Sequence, residues 1–182
     1  MAITRLYNKA EHQAYKLLGD FNLYKPAIPI EKIVEGLGIL LVPYDLGNEV
    51  SGMLMLDDEN NGIISYNDKD NKKRQRFTIA HELGHYILHR KSERLFIDKD
   101  FIVKYRSNKL YDSLEMQQEQ QANAFAAAIL MPATLIHEEM KKVKFRNFDE
   151  TKLIESLSEI FEVSNLAMTY RLSNIMQFAE KW

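Results

Sequence analysis

The 182-residue chain contains no cysteine. This absence excludes a disulfide scaffold, a cysteine-based zinc finger, an iron–sulfur cluster and a cysteine nucleophile. An excess of positive charge is also absent, because 24 Lys and Arg stand against 26 Asp and Glu and the net charge is −2. Proteins that bind duplex nucleic acid non-specifically need a large basic excess. With 7 glycines and 4 prolines, the chain is neither collagenous nor of low complexity.

Long apolar runs are missing as well. The longest uncharged apolar run, residues 122–133, contains Asn123 and Pro132 and is too short to span a bilayer. No apolar segment follows the first basic residues, so the pattern of a secretory signal is not met. We therefore expect a cytoplasmic protein with no membrane partner. The length is typical of one domain, which we place over residues 1–182.

Apolar periodicity and turn residues predict an α+β fold, with a small, mostly antiparallel, three-stranded sheet and a predominantly helical body. The strand-like runs are Ile39–Val42, Ser51–Asp57 and Ile63–Asn67, and the turn residues 58–62 predict a hairpin between the last two. Helical spacing, caps and breakers predict helices over 2–20, 30–37, 72–89, 113–130, 134–142, 149–161 and 165–178.

One motif with chemical meaning lies inside the predicted helix 72–89. His81-Glu82-Leu83-Gly84-His85 is an H-E-x-x-H sequence. Histidines at i and i+4 lie about 40° apart around a helix and about 6 Å apart along it, so both imidazoles can bind one Zn²⁺. Glu82 is next to the first ligand, where it can reach a water on the ion. Gly84 is unfavourable within a helix, which predicts that another element approaches closely there.

A catalytic zinc ion needs a third protein ligand. His89 continues the spacing but lies about 12 Å along the helix axis from His81, too far to share one ion. We predict that Glu119, on the next long helix, is the third ligand, with Glu115 one turn earlier as the alternative. Asn123 lies at i+4 from Glu119 and can accept the second ring N–H of a ligand histidine.

The two blocks together resemble the ImmA/IrrE family of bacterial and phage zinc peptidases. The first block is 74–89, containing His81-Glu82-x-x-His85, and the second is Glu119-x-x-Ala122-Asn123 followed by 125–132. The resemblance implies a zincin-like body and one Zn²⁺ held by His81, His85 and Glu119, with Glu82 as the catalytic residue. The arrangement is similar to that of thermolysin-like peptidases, a gluzincin-like ligand set.

The resemblance also implies a protein substrate. Members of the family cleave or inactivate a helix-turn-helix repressor of a mobile element, a prophage or a stress operon. An extended substrate can add to a sheet edge, for which we expect the strand Ile63–Asn67. Residues that could stabilise the tetrahedral intermediate stay open among Tyr66, Tyr105, Arg106, Tyr111 and His137.

Two other functions compete with a peptidase. Residues 149–178 read as a helix-turn-helix-like pair within the domain, which suggests a DNA-binding regulator. Residues 149–164 carry five acidic side chains against Lys152, however, and the second helix carries only Arg171, so we expect no direct contact with nucleic acid. A non-catalytic adaptor that sequesters a repressor would have the same sequence pattern. The basic run 72–76 indicates either a solvated helix start or a docking site for an acidic partner.

Overall fold

The computed structural model describes residues 2–59, 61–91, 94–99, 113–142 and 149–179. Within these ranges it contains seven helices and four strands. In chain order they are α1 (Ala2–Asp20), α2 (Ile30–Gly36), β1 (Leu40–Tyr44), β2 (Val50–Leu56), β3 (Gly62–Asn67), α3 (Lys72–His89), β4 (Leu95–Lys99), α4 (Ser113–Leu130), α5 (Ala133–Lys142), α6 (Glu150–Phe161) and α7 (Asn165–Ala179). All seven predicted helices and all three predicted strands are present, and the α+β class is confirmed.

The predicted sheet needs two corrections. It has four strands in the order β1-β3-β2-β4, because β4 pairs with β2 through Leu54 and Phe96. It is also mixed, since β1 runs parallel to β3 while β2 is antiparallel to both of its neighbours. The strand Ile63–Asn67 is therefore central, and its prediction as the edge for substrate is wrong. β1 and β4 are the outer strands of the described sheet.

One face of the sheet packs against the helical body. Leu54, Ile64 and Phe96 point from three adjacent strands into the core, and each is at most 6% exposed. α3 lies across this face, with Ile79 and Leu83 fully or almost fully buried. Burial of such side chains contributes about 1.5–3 kcal/mol each, so the contact fixes α3 firmly on β2 and β3.

α3 is anchored at its amino-terminal end by polar contacts. The Asn71 side chain caps the helix by accepting the Arg74 backbone N–H at 3.0 Å. Arg76 is buried and donates to the carbonyl oxygens of Ile28 at 2.9 Å and Glu162 at 3.4 Å. Its guanidinium also lies 3.6 Å from the Glu162 carboxylate. The basic run 72–76 is thus only partly solvated, because Arg76 is a structural residue.

α6 and α7 form the predicted helical pair. Asp149 caps α6 by accepting the Lys152 backbone N–H at 3.2 Å. In α7, Arg171 is 5% exposed and points inward, where it donates to the Met131 carbonyl oxygen and the Tyr15 hydroxyl, each at 3.0 Å. It also pairs with Glu11. Through Arg171, α7 therefore contacts α1 and the residue that follows α4. Among the described helices, none is both long and apolar enough to cross a bilayer.

Candidate metal centre

The centre lies where α3 and α4 pack side by side. Gly84 faces Ala122, and a Cβ atom at position 84 would lie only 3.1 Å from the Ala122 Cα and 3.2 Å from its carbonyl oxygen. The absence of a side chain at Gly84 thus lets the backbone of α4 approach α3. The predicted close approach is confirmed, and it brings Glu119, one turn before Ala122, beside the two histidines.

Three side chains converge at this contact. The Nε2 atoms of His81 and His85 lie 3.1 Å apart. The Glu119 carboxylate places Oε2 3.6 Å from His81 Nε2 and Oε1 3.5 Å from His85 Nε2. Glu115 is exposed and does not belong to this group. Among the described residues, His81, His85 and Glu119 form the one group of this kind that could hold a metal ion.

The spacing of these atoms fits a tetrahedral ion. Nitrogen and oxygen ligands lie about 2.0–2.2 Å from zinc, so two ligand atoms at the tetrahedral angle are about 3.4 Å apart. The three observed separations of 3.1, 3.5 and 3.6 Å bracket this value. Both histidines are only 2% exposed, whereas the Glu119 side chain is 22% exposed. The donors therefore fit a divalent cation that is reached from the Glu119 side.

Each histidine is also held through its other ring nitrogen. The Nδ1 atom of His81 lies 3.1 Å from the Asn123 Oδ1, which confirms the predicted contact. The Nδ1 atom of His85 lies 3.2 Å from His89 Nδ1, and His89 Nε2 lies 2.8 Å from the Gln121 Oε1. Burial lowers the pKa of His89, and the hydrogen bond to Gln121 only partly opposes this.

Glu82 is fully buried between α3 and β2. A Cβ atom at Gly52 of β2 would lie 3.2 Å from the Glu82 Oε1 and would collide with the Thr78 side chain. The glycine therefore leaves the space that Glu82 occupies. On the next strand, the Phe96 ring stacks on His85 with 4.6 Å between ring centroids and an interplanar angle of 27°.

A cavity of about 740 Å³ lies near the centre, between α3, α4 and α7. Its lining includes Asn123, whose side chain contacts His81, and continues over Phe77, Ala127 and Ala167 to Tyr170. Tyr170 is 65% exposed at its rim. The centre is thus contacted by Phe96 of β4 at His85, and it adjoins this cavity at Asn123.

Of the predicted site residues, the structure brings His81, His85 and Glu119 together, and several of their neighbours are not predicted from the sequence. His89 is too far along the helix to be a ligand, but its i+4 spacing from His85 also indicates a contact between the two rings. No pattern in the sequence indicates Gln121, Phe96 or Gly52 as parts of the site. Among the open candidates for a stabilising donor, Tyr66 packs against the core and His137 contacts the Ala133 carbonyl oxygen at 2.7 Å. Tyr105, Arg106 and Tyr111 lie outside the described residues.

Comparison with known proteins agrees with this geometry. The family model described as IrrE N-terminal-like domain, of the M78 peptidases, matches residues 34–173. The chain therefore belongs to the ImmA/IrrE family of metallopeptidases, and its family implies a bound metal.

Two bacterial relatives are named as metallopeptidases. The chain is 29% identical over 143 residues to Metallopeptidase ImmA of Bacillus subtilis (strain 168), covering 79% of this chain and 74% of that protein. It is 32% identical over 117 residues to the Radiation response metalloprotease IrrE of Deinococcus radiodurans, covering 64% of this chain and 32% of that protein. The chain thus spans about three quarters of ImmA and about a third of this IrrE.

A phage protein and a solved structure extend the comparison. The chain is 30% identical over 109 residues to the Uncharacterized immunity region protein 2 of Bacillus phage phi105, covering 60% of this chain and 61% of that protein. A structure described as a Mycobacterium tuberculosis transcriptional regulator superposes with a TM-score of 0.59 at 16% identity, over 91% of this chain and 46% of that one. At that identity the likeness shows the fold alone.

Proposed function

We propose that residues 1–182 form one zinc-dependent endopeptidase domain, in which His81, His85 and Glu119 bind the ion and Glu82 is the general base. The observation that carries this proposal is the convergence of two imidazole nitrogens and one carboxylate at tetrahedral spacing between α3 and α4. A His₂Glu set leaves a fourth position for water or substrate, which is typical of catalytic rather than structural zinc sites.

The arrangement supports peptide hydrolysis. Bound zinc supplies Lewis acidity, which activates a water and polarises the scissile carbonyl. Glu82 accepts a proton from the attacking water while the water oxygen bonds to the carbonyl carbon. It then delivers this proton to the amide nitrogen as the C–N bond breaks. Glu82 is buried and lies against Gly52 of β2, which restricts the positions that its carboxylate can take.

The substrate is a protein, and we propose that it binds in extended form along β4. In the sheet formed by the described residues, β4 is an outer strand beside the centre, with Phe96 stacked on His85. The neighbouring Leu95 and Ile97 are 49% and 41% exposed. Main-chain pairing with such a strand is a common mode of peptide recognition. The cavity beside Asn123 would then receive a side chain of the same peptide on the other side of the scissile bond.

The substrate that we propose is a helix-turn-helix repressor of a mobile element, a prophage or a stress operon. The support is the family resemblance, together with a phage relative named as an immunity region protein. We place the protein in the cytoplasm, where such a repressor acts.

The test combines the purified protein with the repressor encoded beside its gene, with and without a chelator, and detects products by mass spectrometry. Glu82→Gln should retain zinc and abolish cleavage, because it removes the base but no ligand. Glu119→Gln should lose both zinc and cleavage. Glu115→Gln is the matched control on the same helix and should keep both. Undiminished turnover in Glu82→Gln would refute its role as the base.

The same experiment separates the peptidase from the adaptor. A stable complex with no peptide products, formed with and without the chelator, would indicate an adaptor instead. The DNA-binding alternative is disfavoured by Arg171, the one basic residue in the described helix α7, because its guanidinium is buried against Met131 and Tyr15. A salt-sensitive gel shift at nanomolar concentration by this chain would overturn that judgement.

A further inference from the structure

We propose that His89 and Gln121 are positioning residues that hold His85 in the ring tautomer required for metal binding. This inference rests on the metal site proposed above. It assigns a role to a third histidine of α3 that is too far along the helix to be a ligand.

The positions of the nitrogen atoms determine where the protons lie. His85 Nε2 faces His81 Nε2 at 3.1 Å and the Glu119 Oε1 at 3.5 Å, so it is the atom that would bind the ion. A neutral imidazole that ligates through Nε2 carries its proton on Nδ1. That Nδ1–H can donate to His89 Nδ1 at 3.2 Å, provided that His89 Nδ1 is unprotonated.

The hydrogen bond between His89 and Gln121 satisfies this condition. If His89 accepts at Nδ1, its proton must lie on Nε2. His89 Nε2 is 2.8 Å from the Gln121 side-chain oxygen, which can only accept. One set of proton positions therefore satisfies every contact from the ligand atom of His85 to the amide of Gln121. With both protons on the opposite nitrogens, His89 would still donate to His85, but His89 Nε2 and the Gln121 oxygen would face each other with lone pairs, and His85 Nε2 would carry the proton in place of the ion.

The arrangement around His81 follows the same principle with fewer parts. His81 Nδ1 donates directly to the Asn123 side-chain oxygen at 3.1 Å. The hydrogen bonds from His81 and from His85 through His89 both end on a side-chain amide oxygen of α4, the helix that also supplies Glu119. Neutral acceptors add no charge to the site, so the single negative charge among these groups is the Glu119 carboxylate. Outer hydrogen bonds of this kind typically contribute 10–100-fold to metal affinity.

The decisive variants differ in one acceptor. His89→Leu replaces the imidazole by an apolar side chain of similar length and so removes the acceptor of the His85 Nδ1–H. His89→Asn restores an acceptor near the position of Nδ1, because its side-chain oxygen is also attached one carbon beyond Cβ. We expect zinc to bind about 10–100-fold more weakly to His89→Leu and within about 3-fold of the original affinity to His89→Asn. Gln121→Leu should fall between the two.

Zinc affinity is measured by competition with a chromophoric chelator, and folding is checked by circular dichroism and urea unfolding. His12→Leu, on the exposed side of α1, removes a histidine away from the site and should leave the affinity unchanged. If His89→Leu binds zinc as tightly as the original chain, the proposal is wrong. If the original chain does not bind zinc at all, the proposed function itself fails.

A second measurement needs no substitution and therefore does not depend on whether His89→Leu folds. Long-range ¹H–¹⁵N correlation spectra of the zinc-loaded protein distinguish the two ring tautomers of each histidine. We expect His85 to be protonated at Nδ1 and His89 at Nε2. A His89 ring protonated at Nδ1 would overturn the proposal, even if both variants lost zinc for reasons of packing.

Discussion

Gly84 offers the sharpest test of the contact between α3 and α4. In Gly84→Ala, the new Cβ would lie 3.1 Å from the Ala122 Cα, 3.2 Å from its carbonyl oxygen and 3.2 Å from the Phe125 Cδ1. Two of these three atoms belong to the backbone of α4 and cannot rotate away. The helix as a whole must therefore move by a few tenths of an ångström, and Glu119 must move with it.

Two opposing effects set the magnitude for stability. Alanine is favoured over glycine within a helix by about 1 kcal/mol. Overpacking of a tightly packed interior destabilises by about 1–3 kcal/mol. The free energy of unfolding should therefore fall by up to about 2 kcal/mol. Zinc binding should be sensitive to this shift, because ligand distances in metal sites vary by only about 0.2 Å. We expect zinc affinity to fall by about 10-fold.

Urea unfolding of the metal-free protein and chelator competition measure these two quantities separately. Gly19→Ala in α1 is the matched control, because no atom lies within 4 Å of a Cβ at that position. It should stabilise the protein by up to about 1 kcal/mol and leave zinc affinity unchanged. A Gly84→Ala variant with unchanged zinc affinity and undiminished stability would refute the argument that this close approach builds the site.

Three further predictions concern stability. Zinc at 100 times its dissociation constant should raise the free energy of unfolding by about 2.7 kcal/mol, and Glu119→Gln should abolish this increase in urea titrations. The backbone hydrogen bond from Lys152 lowers the pKa of Asp149, so the native state binds a proton more weakly than the unfolded chain there. The resulting stabilisation is present above about pH 4 and is lost as the pH falls through the native pKa. Urea unfolding midpoints measured between pH 2 and 6 should show this pH dependence in the original chain, and Asp149→Asn should lack the part that Asp149 contributes. Arg171→Met should destabilise by about 3 kcal/mol, because Glu11 and the Met131 carbonyl oxygen lose their buried partner; a loss below about 1 kcal/mol would contradict this.

The helices and three strands could be predicted because each carries its own local signal, such as the turn residues 58–62 between β2 and β3. β4 has no such signal. Its apolar run Leu95–Ile97 is short, and the strand is defined by pairing with β2 some forty residues earlier. The parallel pairing of β1 with β3 likewise depends on tertiary packing. It places the strand Ile63–Asn67 in the centre of the sheet and not at the predicted edge.

The contacts of the site also fall into those that the sequence predicts and those that depend on tertiary packing. The grouping of His81 with His85 follows from helical geometry, and Glu119 with Asn123 follows from one turn of the next helix. The crossing of the two helices then decides which other side chains meet. That Gln121 reaches His89, and that Phe96 covers His85, depends on packing between elements that are distant in sequence. Helical spacing within one segment carries no information about such contacts.

Arg76 joins α3 to segments that are made both before and after this helix. Its guanidinium joins the metal-binding helix to carbonyl groups 48 residues before it and 86 residues after it. During translation, His81, Glu82 and His85 leave the ribosome well ahead of Glu119 and Glu162. A half-made chain therefore carries the H-E-x-x-H sequence and the Ile28 contact of Arg76, but neither Glu119 nor the Glu162 carbonyl group. The proposed metal site is therefore complete only after α4 has been made and has packed against α3.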